Sequence, residues 1–86
     1  MIFRLSAHAK EELGRRGIAL ELLERVLEAP QQVIAEREGR KAYQSQVALE
    51  EGRMYLLRVI VLDSVEPGLV VTVYRTSRIE KYWRAP

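Results

Sequence analysis

His8, Glu12 and Arg15 recur at i, i+4 and i+7, so a helix places them along one strip. An imidazole flanked by a carboxylate and a guanidinium can act as a general acid or base beside an anion. The same strip also reads as an ordinary surface face, with one ion pair and a histidine filling the seam between helix and sheet. Arg16 falls closer to the buried side of that helix. Further along, Arg58 shares a strand face with Met54, Leu56, Ile60 and Leu62. A guanidinium in that company must snorkel or find an anion, and a glutamate or a phosphate would serve. Strand parity puts Thr72, Tyr74 and Thr76 on one face and Leu69, Val71 and Val73 on the other. Such hydroxyls face either bulk water or a polar cleft. Near the end, Tyr82 and Trp83 stand beside Lys81 and Arg84. That mixture suits stacking on unpaired bases, and it equally suits a Trp83 anchor for a short terminal element.

Cleaving RNA without a metal requires a base for the ribose 2′-hydroxyl, an acid for the leaving 5′-oxygen and cations for the phosphate charge. His8, Tyr74, Arg58 and Arg75 have that chemistry. Whether they converge depends on the fold.

Composition narrows the alternatives. The chain has 86 residues, 48% of them hydrophobic and 30% charged, which describes one globular domain over residues 1–86. No cysteine is present, so disulfides, thiolate metal sites and cysteine nucleophiles are out. With one histidine as well, neither a metal site nor a cofactor is expected. No apolar run approaches a membrane span and the N-terminus lacks a signal-peptide pattern, so a cytoplasmic location is expected. The net charge of +2 permits a nucleic-acid partner without requiring one. It is concentrated toward the end, where Arg75, Arg78, Lys81 and Arg84 face only Glu80.

The elements follow from local signals. Ile2 to Leu5 reads as a short strand, and Ser6 as the N-cap of a helix from Ala7 to Arg16 ended by Gly17. A second helix is expected from Ala19 to Glu28, its buried face formed by Leu20, Leu23 and Leu27 with Leu22 and Val26, and stopped by Pro30. Four strand-like runs follow: Gln32 to Glu36, Lys41 to Leu49, Met54 to Asp63 and Leu69 to Arg75. Turns at Glu38-Gly39, Glu51-Gly52 and Pro67-Gly68 predict antiparallel hairpins in sequence order. The fold class is therefore α+β, two helices packed on an antiparallel meander in the order β-α-α-β-β-β-β, with a short helix or tail at Ser77 to Trp83. An exposed edge such as Gln32 to Glu36 leaves monomer and homodimer both open.

The stretches LSAHAKEELGRRGI, MYLLRVIVL and TVYRTSRIEKYW resemble the opening, central strand and closing segment of domain-of-unknown-function family 4258. Ala19 departs from the pattern, where a serine would cap the second helix. That family is similar in element order to the RelE-like and barnase–EndoU–colicin nucleases. In that group a helix pair covers one sheet face and the active site lies on the other, and many members are toxins paired with an antitoxin protein. The resemblance implies an RNA substrate and metal-independent cleavage. It places His8 with Arg15 or Arg16 on the helix side of the site and Arg58, Thr72 and Tyr74 on the sheet side. Taken with the residue chemistry, His8, Arg58 and Tyr74 are the expected catalytic residues, and Arg15, Arg16, Thr72, Arg75, Thr76 and Lys81 the expected RNA contacts. A binding module of the same fold without turnover is the alternative the resemblance leaves open.

Overall fold

Ser6 begins the first helix as its position predicts. In the computed structural model, which describes residues 2–85, its hydroxyl accepts from the Ala9 amide at 3.0 Å. Helix α1 (Ala7–Arg16) ends at Gly17, which is left-handed. Helix α2 (Leu20–Glu28) starts from Ala19, whose methyl offers its free amides nothing. Strand β1 (Phe3–Leu5) precedes both helices, and after them come β2 (Gln32–Ala35), β3 (Lys41–Ala48), β4 (Met54–Leu62), β5 (Gly68–Thr76) and a single-turn helix α3 (Ile79–Tyr82).

The strands form one sheet in the order β1-β5-β4-β3-β2. From β2 to β5 neighbours are antiparallel and sequential, as the short connections predict. Both Glu-Gly turns have positive φ at each central residue, Glu38 at 60° and Gly39 at 72°, Glu51 at 56° and Gly52 at 75°. This is the backbone that matches the twist of a tight hairpin, and glycine adopts it without a Cβ clash. The sheet is nonetheless mixed, because β1 adds to the far side of β5 in parallel, with Phe3 opposite Gly68. No hairpin can connect them, since the whole chain separates the two strands. A Cβ on Gly68 would lie 2.7 Å from the Phe3 ring, so the missing side chain is what lets the ring cover that strand end.

Both helices lie on one sheet face. Ala9, Leu13, Ile18, Leu23 and Val26 pack there against Leu57, Val59, Val61, Val70 and Val73. Leu20 is the exception on α2: at 45% exposed it lies outside this core, contrary to its place in the predicted apolar face. Strand parity also breaks in β5. Ile60 pairs with Thr72 but Val61 pairs with Val70, so Val71 is an extra residue in a bulge. Val70 and Val73 therefore both enter the core, and Leu69 and Val71, expected on that side, do not join it.

On the opposite face β4 buries Leu56, Arg58 and Ile60, as a central strand covered on both sides should. The covering piece includes the C-terminal segment: the Tyr82 ring lies over Arg58, and the Tyr82 carbonyl accepts from Gln44. No described helix is long and apolar enough to cross a membrane.

Candidate functional site

Ladder register aligns four polar residues in one row across the sheet. Gln32 stands opposite Gln44, Gln44 opposite Arg58, and Arg58 opposite Tyr74. Arg58, 2% exposed, is the centre of this row. Its Nε donates to Gln44 Oε1 at 2.8 Å, one Nη to the Tyr74 hydroxyl at 2.6 Å, and the other to Glu36 Oε2 at 2.8 Å. The Tyr82 ring centroid lies 4.2 Å from the guanidinium carbon, within cation–π range. Tyr74 and Tyr82 meet edge to face at 6.3 Å. Among the described residues no buried side-chain polar atom lacks a partner, and this row is where that is hardest to achieve.

Charge follows from this geometry. Burial alone would pull the Arg58 guanidinium down, but its bonds to Glu36 and Tyr74 outweigh burial and its pKa is raised. Burial pushes the Tyr74 phenol above its ordinary range, against the lowering pull of Arg58. Tyr74 therefore keeps its proton at neutral pH. Because its oxygen accepts from Arg58, its own proton is not spent in that bond. Glu36 is the group's opening to solvent, its side chain 33% exposed against 3% for Arg58.

The structure brings Arg58 and Tyr74 together and leaves His8 apart. His8 is exposed on α1, which packs against the other sheet face, so it neither plugs a seam nor shares a space with Arg58. The carboxylate beside it is committed elsewhere. Glu12 accepts from Arg15 at 2.7 and 2.8 Å and from Arg16 at 2.9 Å. The Arg15 and Arg16 hydrogen bonds hold Glu12 down at about 2.

The remaining candidates also divide between the faces. Thr72 is on the Tyr74 face and half-buried, and Thr76 Oγ1 accepts from the Arg78 amide where the chain leaves the sheet. Arg75 points the other way, paired with Glu50 at 3.0 Å and lying over Tyr55 at 5.0 Å. Lys81 is exposed, 5.2 Å from the Tyr82 ring centroid. Tyr82, rather than Trp83, is the residue seen to fasten the tail. Sequence reading missed Glu36, Gln32 and Gln44. The two glutamines carried a signal, being amides in strand-like runs, whereas Glu36 sits just before a turn and carried none.

No three described His, Asp or Glu side chains come together as a metal would need. A cavity of about 510 Å³ opens on the helix side, lined by Phe3, Leu5, Leu20, Leu23, Leu27 and Tyr43 among others, and none of the candidate residues lines it.

Residues 5–75 match the family described as Domain of unknown function (DUF4258). The chain belongs to this family. The DUF4258 match spans Glu36, Gln44, Arg58 and Tyr74 and stops short of the tail that covers them. No curated protein and no solved structure matches the chain.

Proposed function

We propose that this DUF4258 chain is a metal-independent endoribonuclease-type domain, the toxin of a toxin–antitoxin pair, with Glu36, Arg58 and Tyr74 as its working group. One observation carries the reading: a carboxylate, a guanidinium and a protonated phenol meet within single hydrogen bonds on the sheet face away from the helices. The resemblance of its element order to that of the RelE-like nucleases is in keeping with the same reading. In the proposed reaction Glu36 takes the proton of a ribose 2′-hydroxyl as that oxygen bonds to the adjacent phosphorus. Arg58 holds the charge gathering on the phosphate oxygens. Tyr74 gives its proton to the 5′-oxygen as the P–O5′ bond breaks, leaving a 2′,3′-cyclic phosphate. His8 has no part in it.

The test is cleavage of a synthetic RNA in the presence of EDTA. Glu36→Gln and Tyr74→Phe are each expected to slow it by roughly 10²–10⁴-fold, and His8→Ala to leave it unchanged. No product above a mock-purified blank sinks the proposal. The toxin role further expects slowed growth on expression without a neighbouring antitoxin.

A second reading has its own support. Arg58 is covered by Tyr82, with Glu36, Gln44 and Tyr74 already on its donors, as suits a module that binds RNA without turnover. Salt-sensitive RNA binding without products would favour it.

A further inference from the structure

The C-terminal segment meets the polar row in a way that has little in common with ordinary core packing. None of residues 77–85 belongs to the apolar cluster between helices and sheet. Besides the Arg78–Thr76 turn bond and the Tyr74–Tyr82 edge-to-face pair, three contacts hold the segment. The Tyr82 ring lies on the Arg58 guanidinium, and the Tyr82 carbonyl accepts from Gln44 Nε2 at 3.3 Å. The third is a two-way pair at Arg84, whose amide donates to Gln32 Oε1 at 3.2 Å while its carbonyl accepts from Gln32 Nε2. Gln44 Nε2 also donates to Gln32 Oε1 at 2.9 Å, which fixes how that carboxamide is turned.

Two of these contacts have counterparts in nucleotide recognition. A guanidinium plane is a stacking platform for an unpaired base. A glutamine carboxamide that gives and accepts one hydrogen bond side by side matches an edge with adjacent donor and acceptor, as adenine presents at N6 and N7. The spacing between platform and carboxamide is set by the ladder register from β4 to β2, so it exists whether or not the tail is present.

We infer that the C-terminal segment, centred on Tyr82 and Arg84, occupies a single-stranded RNA site, with the Tyr82 ring standing where a base stacks and the Arg84 peptide where a base edge pairs with Gln32. RNA enters by displacing the tail. Because none of its residues enters the cluster between helices and sheet, the segment can leave while that core stays packed. Arg78, Lys81 and Arg84 then remain tethered beside the site as counter-charges for the phosphates. This inference rests on the proposed RNA substrate and adds how that substrate reaches Arg58 and Tyr74.

The full-length chain carries its own reporter, since Trp83 is its single tryptophan and follows Tyr82 directly. A 5′-labelled 2′-O-methyl RNA hexamer, which resists attack by its own 2′-oxygens, is titrated by anisotropy while Trp83 emission is followed. Binding should shift that emission in step with saturation. Tyr82→Ala should tighten binding by about tenfold or more, and Tyr82→Phe, which keeps the ring, should bind as the wild type does. Saturation with unchanged Trp83 emission, no hexamer binding, or a folded Tyr82→Ala protein that binds no tighter would each overturn the inference. If Tyr82→Ala does not fold, the wild-type titration decides alone. The two readings fail separately. Tail release without cleavage of ordinary RNA removes the nuclease and keeps the site, while cleavage with no Tyr82 effect does the reverse.

Discussion

The molecule holds two clusters of the same chemistry built in opposite ways. On α1, Glu12 binds Arg15 and Arg16, partners three and four residues away on its own helix, and those arginines are 66% and 38% exposed. In the sheet, Arg58 binds Gln44, Tyr74 and Glu36, which are 14, 16 and 22 residues away, and its side chain is 3% exposed. The first cluster forms as soon as one helix does. The second exists only when β3, β4, β5 and the end of β2 are in register. The Glu12 side chain is itself only 6% exposed, but each of its arginines can turn out to water and leave it the other. A charge held by tertiary structure cannot turn out in this way, so its removal leaves several buried groups without partners.

The largest expected effect separates the two directly. Arg58→Met should destabilise the protein by about 3–5 kcal/mol, measured by urea unfolding, while Arg15→Met moves the midpoint far less. Equal losses would mean the buried row is no more than another surface pair. Next, pH should attack the clusters from opposite ends. Tyr74 has a raised pKa, so the folded state holds the phenolic proton longer than the unfolded chain. Stability should therefore fall as pH rises from the ordinary 10 through the raised folded value. Tyr74→Phe should reduce that loss, and an unchanged alkaline limb in the variant would break the assignment. Glu12 works the other way. Its folded pKa of about 2 lies below its ordinary 4.5, so its contribution is present above 4.5 and is lost as pH falls toward 2. Glu12→Gln should flatten the acid limb of thermal unfolding in that window. The smallest effect is purely local. Ala19→Ser should add about 1 kcal/mol by giving α2 the side-chain cap that Ser6 gives α1, and no gain in melting temperature would count against it.

The same division explains what the sequence made legible. Ser6, Gly17 and the two Glu-Gly turns act within a few residues, and each was readable where it stood. The need of Arg58 for a partner was readable too, because its apolar neighbours on β4 forbid an unpaired charge there. The identity of that partner was not, because Glu36 arrives through a hairpin and a ladder register. Nor was the Val71 bulge, since a one-residue insertion leaves no mark on alternating valines and changes which of them face the core. His8 shows the limit of spacing arguments. The i, i+4 relation to Glu12 says which residues share a helix strip, but not which side of the sheet that helix covers.

The parallel pairing of β1 with β5 has a consequence for how the protein is made. Ser6, which starts the first helix, donates its amide to the Val70 carbonyl at 3.0 Å and its hydroxyl to the Val71 carbonyl at 2.9 Å. A ribosome delivers these acceptors only after the helices and three later strands have emerged. Until then the first strand has no partner, and α1 has no β5 valines to lie on. A product cut short before Gly68 lacks Tyr74 and the strand against which the N-terminal helix chiefly packs. Truncated translation therefore yields no half-working domain, because its first strand is completed by its last.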